Sequence, residues 1–175
     1  MKTAAIICEY NPFHYGHKYQ LDKTREMGAT HIVAVMSGNF TQRGDIAIFD
    51  KYARAQTALE NGADLVLELP TRFSLSAAEG FARGAVSIIE ALGCVDMLSF
   101  GSECGDIAAL KEAAGAAEYA INTDDFRERM RRGASFPSAL ADTVKQYYTP
   151  DVYEVLSSPN NTLAVEYIKA LDDVG

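Results

Sequence analysis

Thr3-Ala4-Ala5-Ile6-Ile7-Cys8-Glu9-Tyr10-Asn11-Pro12-Phe13-His14-Tyr15-Gly16-His17-Lys18-Tyr19-Gln20 runs from an apolar segment through a polar turn into the start of a helix. Thr3–Cys8 is short, continuous and partly β-branched, which fits a strand buried on both faces, as in a parallel sheet. Three runs of the same kind follow: His31–Ser37, Ala63–Leu69 and Val95–Phe100. Helical stretches separate them. The first covers His17–Met27. The second has Asp50 as N-cap for KYARAQTALEN and Gly62 as its stop. The third opens on Ser76 and Glu79, an S-x-x-E capping box, and runs through Ile88, Ile89 and Leu92 to Gly93. Strand, helix and strand repeated three times predict right-handed crossovers, hence an α/β fold with a doubly wound parallel sheet.

Beyond Gly101 the pattern becomes helical, with predicted helices over Asp106–Ala120, Asp124–Arg132, Ser138–Tyr148 and Asn160–Leu171. Ser158 caps the last of these and Pro159 suits its first position. The expectation is one domain, residues 1–175, with a helical portion from about 106. A chain of this length buries roughly 70% of the surface its unfolded form exposes, so neither disulfides nor a structural metal are required. Sixteen basic residues against 24 acidic ones give a net charge of −8, which excludes a domain-wide basic surface for nucleic acid. A local patch stays open: Arg127, Arg129, Arg131 and Arg132 form either a solvated helix face or a phosphate contact. Cys8, Cys94 and Cys104 are read as buried free thiols in a reducing compartment. Glu9 and the histidines follow the N-terminal apolar run without a cleavage site, and no segment approaches the ~18 apolar residues of a membrane span. The expected location is the cytoplasm.

The turn after the first strand carries the chemistry. Pro12 fixes its own backbone and biases Asn11 towards an extended shape. Gly16 lets a backbone or a phosphate come close. His14 and His17, three apart at a helix start, can share one face, where main-chain amides attract anions. Ligands of open α/β sheets sit beyond the carboxyl ends of the strands. Two imidazoles at that place suggest a polyphosphate clamp, with His14 and His17 catalytic through positioning and charge stabilisation rather than as nucleophiles. The plain alternative is a pair of helix-cap or surface histidines. A zinc site with Cys8 or Glu9 lacks a ligand set at metal spacing, so no metal site is assigned.

A second block, Ser37–Asp45 (SGNFTQRGD), offers Asn39, Gln42 and Arg43 to a small anionic or carbonyl-bearing substrate, or is a polar loop of turn formers. Lys51 and Arg54, on the next helix, face either the same cleft or solvent. In Phe100–Glu103 (FGSE), Gly101 either admits a base or ribose or makes an ordinary turn. Two amides, Asn160 and Asn161, sit in the first turn of the last helix, as ligand contacts or as caps.

Taken in order, EYNPFHYGH (9–17), SGNFTQRGD (37–45), FGSE (100–103) and SPNNTLAVEYIKAL (158–171) strongly resemble the tRNA(Met) cytidine acetate ligase family of the His-x-Gly-His nucleotidyltransferase superfamily. The resemblance implies a Rossmann-like fold and a ligase that activates acetate with ATP, releasing pyrophosphate. The acetyl-adenylate then acetylates the exocyclic amine of the wobble cytidine in elongator tRNA(Met). It further implies that residues 7–20 contact ATP, with His14 and His17 on the phosphates and Gly101 and Asn160 as additional contacts. Magnesium is expected with ATP. Members of the family extend well beyond residue 175, through a half that helps bind tRNA and an arginine that touches ATP. The expected partners here are therefore ATP and acetate, with tRNA binding dependent on that further half. Two rival readings share the clamp: a small-molecule adenylyltransferase whose product keeps the AMP, and a nucleotide-binding module without catalysis.

Overall fold

The computed structural model describes residues Met1–Val174. Strands β1 (Thr3–Cys8) and β2 (His31–Ser37) occupy their expected spans and pair in parallel, from Thr3 opposite His31 to Cys8 opposite Met36. β3 (Leu65–Leu69) lies beside β2 and β4 (Met97–Leu98) beside β1, both parallel, giving the order β3-β2-β1-β4. The outer strands are shorter than their apolar runs because acidic side chains take over the edge bonds. Asp64 accepts the Ile32 amide at 2.6 Å and pairs with Arg25, while Asp96 accepts the Thr3 amide at 2.7 Å.

Helices α1 (Tyr15–Glu26), α2 (Lys51–Glu60), α3 (Thr71–Ser74) and α4 (Ala78–Leu92) connect the strands. Strand alternation sends Ala4, Ile6, Ile32, Ala34 and Met36 into one cluster with Leu21 of α1 and Ala58 of α2. Ala5, Val33 and Val35, buried on the opposite face, leave room for α4, which touches β2 and buries Phe81, Ala82, Ala85 and Ile89. Helices on both faces make the sheet doubly wound. Asp50 caps α2 through the amides of Tyr52 and Ala53, and Gly93 ends α4 in the left-handed conformation. The Ser76–Glu79 capping box does not form. A short helix, α3, precedes it, and the Ser76 hydroxyl donates to the Arg72 carbonyl at 2.7 Å instead.

The chain groups into two compact units, Met1–Phe100 and Gly101–Asp173. The second is helical: α5 (Ile107–Ile121), α6 (Asp124–Arg131), α7 (Phe136–Tyr147), α8 (Pro150–Ser157) and α9 (Pro159–Val174). α5 meets α6, α7 and α8 along an alanine-rich face of Ala113, Ala114, Ala116, Ala117 and Ala120, whose small side chains admit close approach. α8 has no counterpart among the helices expected from the sequence: it is eight residues long, and its β-branched Val152 and Val155 weaken the helical signal.

Among the described residues no helix is long and apolar enough to cross a membrane. The cysteines are free, but only Cys8 is partly enclosed. Cys94 and Cys104 are exposed, contrary to the expectation of three buried thiols. Burial pushes the Cys8 thiol pKa up.

Candidate functional site

At the end of β1 the chain turns sharply. Tyr10 is buried and takes a positive φ of 48°, uncommon for a bulky side chain. A cis Asn11–Pro12 peptide follows. His14, extended at φ −143° and ψ 174°, is the N-cap of α1. Its Nδ1 accepts the Gly16 amide at 3.1 Å, and the Nδ1 of His17 accepts the His14 amide at 3.2 Å. The H-x-G-H sequence thus forms a reciprocal cap, with imidazoles doing what Ser and Glu do in the familiar box. A Cβ at Gly16 would stand 3.0 Å from the His14 ring, close enough that the ring would have to shift by a few tenths of an ångström.

This cap fixes the chemistry of both rings. A nitrogen that accepts a hydrogen bond carries no proton, so each neutral imidazole holds its proton on Nε2. Neither Nε2 has a hydrogen-bond partner among the described residues. The rings stack at a centroid distance of 3.6 Å and an interplanar angle of 20°. Tyr10 and Phe13 present themselves to His17 at 4.8 and 5.5 Å. Burial, with a smaller contribution from the neighbouring His14, lowers the His17 pKa to about 4. His17 is therefore neutral near pH 7. Two stacked imidazoles, neither Nε2 engaged by the described residues, stand at the carboxyl end of β1. The Gly16 amide, expected to face an anion, is engaged by His14 instead.

The rest of the 7–20 segment divides by role. The Cys8 thiol contacts the Val35 carbonyl at 3.8 Å, and Gln20 donates to the Ser99 carbonyl at 3.2 Å. Lys18 pairs with Asp22 on its own helix. Tyr15 and Tyr19 are exposed. Glu9 and Asn11 reach the loop after β2: the Glu9 carboxylate accepts the Gln42 amide at 2.6 Å, and Asn11 Oδ1 accepts the Ile48 amide at 2.7 Å. The SGNFTQRGD block therefore lies beside the histidine turn. Asn39 and Arg43 are exposed and Gln42 is half-buried. Arg43 forms no ion pair among the described residues. Lys51 pairs with Glu68 at 2.6 Å. The Glu68 carboxylate lies over the backbone of Gly38, where a Cβ would collide with it. Arg54 is buried.

Gly101 and Asn160 belong to the second unit. A Cβ at Gly101 would meet nothing within 4 Å, so the protein itself does not require glycine there. Asn160 is held by Glu103, whose carboxylate accepts its main-chain amide at 3.1 Å, its side-chain amide at 2.9 Å and the Asn161 amide at 2.8 Å. Asn161, buried, returns the contact by accepting the amides of Glu103 and Cys104 at 2.8 and 3.2 Å. Desolvation opposes the charged form of Glu103, yet these donors outweigh it and hold its pKa below the ordinary value. The arginines of α6 are paired: Arg127 with Asp124, Arg131 and Arg132 with Glu128, and Arg129 with Asp142. Each of these arginines is matched by a carboxylate, three within their own segment and Arg129 across to α7. Among the described residues no three His, Cys, Asp or Glu side chains converge as metal ligands.

The model of the HIGH Nucleotidyl Transferase family matches residues 1–175. The chain belongs to that family. It is 50% identical over 174 residues to the tRNA(Met) cytidine acetate ligase of Caldicellulosiruptor saccharolyticus, covering 97% of this chain and 42% of the relative. It is 47% identical over 182 residues to the ligase of the same name from Clostridium kluyveri, covering 98% and 44%. The crystal structure of Thermotoga maritima TmcAL bound with alpha-thio ATP superposes with a TM-score of 0.91 at 40% identity, over 100% of this chain and 44% of that one. The chain thus spans less than half the length of the relatives it matches.

Three residues take roles that the sequence does not single out. The sequence allows Arg54 either cleft or solvent, because an arginine on an amphipathic helix is ordinarily exposed. Glu103 and Asn161 lay inside quoted motifs, but their reciprocal bonds link positions 58 apart in sequence, which spacing alone cannot reveal.

Proposed function

We propose that this HIGH nucleotidyl transferase chain is the ATP-handling part of a tRNA(Met) cytidine acetate ligase. Its His14 and His17 Nε2–H groups donate to the ATP phosphates. One observation carries the reading: main-chain amides occupy both Nδ1 atoms, so each neutral ring carries its proton on Nε2, where no described residue engages it. Neutral donors suit adenylyl transfer. An acetate oxygen attacks the α-phosphorus, the bond to the bridging oxygen of pyrophosphate breaks, and charge grows on the non-bridging and leaving oxygens. Rings already fixed by their caps need no reorganisation to meet that charge. Arg43, free of carboxylates, with Asn39 and Gln42, is the proposed acetate-side contact. Gly101 and Asn160 are proposed nucleotide contacts. Magnesium would arrive with the triphosphate as its counter-ion. Acetyl transfer to tRNA is proposed for the longer proteins of which this chain matches a part.

The test is calorimetric ATP binding with the wild-type chain, His14→Ala and His17→Ala, combined with pyrophosphate release with and without acetate. Weaker binding in both variants and acetate-dependent release are expected. Equal ATP affinity in all three proteins overturns the clamp. Release that ignores acetate favours a small-molecule adenylyltransferase, and ATP binding without release favours a module that only binds.

A further inference from the structure

Arg54 sits in the first turn of α2 and is 2% exposed, although arginine is among the residues least often fully buried. Its guanidinium donates four hydrogen bonds, all to main-chain carbonyls. Nε donates to Phe49 O at 3.0 Å, Nη1 to Glu9 O at 2.5 Å and to Ser37 O at 3.1 Å, and Nη2 to Gly38 O. No carboxylate oxygen lies within ion-pair distance of it among the described residues. Burying a cation without a paired anion is costly, so the arrangement needs a reason beyond packing.

The four carbonyls supply one. Glu9 follows β1, Ser37 ends β2, and Gly38 and Phe49 open and close the loop that carries Asn39, Gln42 and Arg43. Carbonyl oxygens at the carboxyl ends of two adjacent parallel strands are partial negative charges beside the place where a polyphosphate is proposed to bind. We infer that Arg54 is a positioning residue. It turns these carbonyls inward, pins both ends of the 38–49 loop to the end of β1, and sets a fixed positive charge beneath the histidine turn. The inference rests on the ATP reading for its ligand, but the clamp on the loop stands on geometry alone. Lysine would keep the charge and lose the planar fork, so the two contributions are separable.

The test uses the whole chain as Arg54→Lys, Arg54→Met and Arg54→Ala, the last with and without added methylguanidinium. ATP affinity is read by calorimetry, local order by amide hydrogen exchange across residues 39–49, and folding by circular dichroism. Expected results are a severalfold affinity loss for Arg54→Lys, a loss of about 30-fold or more for Arg54→Met, partial recovery of Arg54→Ala by methylguanidinium, and faster exchange confined to the loop. A folded Arg54→Met that binds ATP within twofold of wild type, with unchanged loop exchange, overturns the inference. Should Arg54→Met fail to fold, Arg54→Lys decides. Faster exchange in 39–49 with unchanged β1 and β2 supports the clamp, whereas a uniform change throughout the chain refutes it. If the wild-type chain binds no ATP, the ATP reading fails by itself and the exchange data still judge the clamp.

Discussion

At the start of α1 the first-turn groups are capped by imidazoles, and at the start of α9 they are capped by a carboxylate. Both devices satisfy amides that the helix cannot. They leave opposite surfaces. A histidine accepts with Nδ1 and still has an Nε2–H to offer, so the capped α1 remains a donor. Glu103 brings a full negative charge to the amides of Asn160 and Asn161, so that end of α9 is already matched to an anion. A helix N-terminus is therefore not in itself a phosphate site. What matters is whether its cap leaves a donor facing outward.

The contrast breaks most readily at the histidines. Removing a preorganised donor from a developing anion typically costs about 10²–10³ in turnover, and His17→Ala also removes the acceptor that holds the His14 amide. A loss of about 100-fold in pyrophosphate release is expected for His14→Ala and at least as much for His17→Ala, with only the roughly 1 kcal/mol of stability that a lost helix cap costs. Asn161→Ala should do the reverse. It leaves the Glu103 and Cys104 amides without their acceptor, at roughly 2 kcal/mol given that both are only partly buried. Thermal or urea denaturation should therefore reveal the variant, and an unchanged midpoint would show that water replaces the Asn161 bonds without penalty.

How far the molecule was legible in sequence follows the same division. β1 and β2 were readable to the residue, because central parallel strands are buried on both faces and leave unbroken apolar runs. β4 was not: Val95–Phe100 looks like a strand, but the Asp96 carboxylate and the Ser99 amide carry the pairing on either side of a two-residue core. The histidine turn was legible because its residue types are rare and adjacent. Its tautomers were not, since they depend on which amide points at which nitrogen. Ser76 and Glu79 had the right spacing for a cap that the preceding short helix pre-empts, which shows that spacing proposes a bond and the backbone decides it.

Gly16→Ala probes the α1 cap more gently than deleting a ring. The added methyl would stand 3.0 Å from His14 Cε1 and 3.1 Å from Nδ1, so the ring must give way by a few tenths of an ångström while its Nε2–H stays present. ATP affinity should weaken severalfold, well short of the His14→Ala effect. An affinity equal to wild type would mean that the donor direction is less constrained than the stacked geometry implies.

The smallest expected effect is in acid, where the two caps should fail in different windows. His17 takes its proton near 6.5 when unfolded but at about 4 in the folded chain. Between those values the unfolded state binds more protons, so stability declines as pH falls from about 6.5 towards 4 and is indifferent to this group at higher pH. Glu103, with a folded value held below its ordinary 4.5, contributes stability above that value and loses it only as pH falls further. Urea denaturation from pH 8 to 3 should therefore show two successive declines. His17→Asn should flatten the upper one and Glu103→Gln the lower one. If His17→Asn leaves the slope between pH 6.5 and 4 unchanged, the ring is not held neutral by its aromatic surroundings. The outward Nε2–H would then be a consequence of ambient pH rather than of the cap.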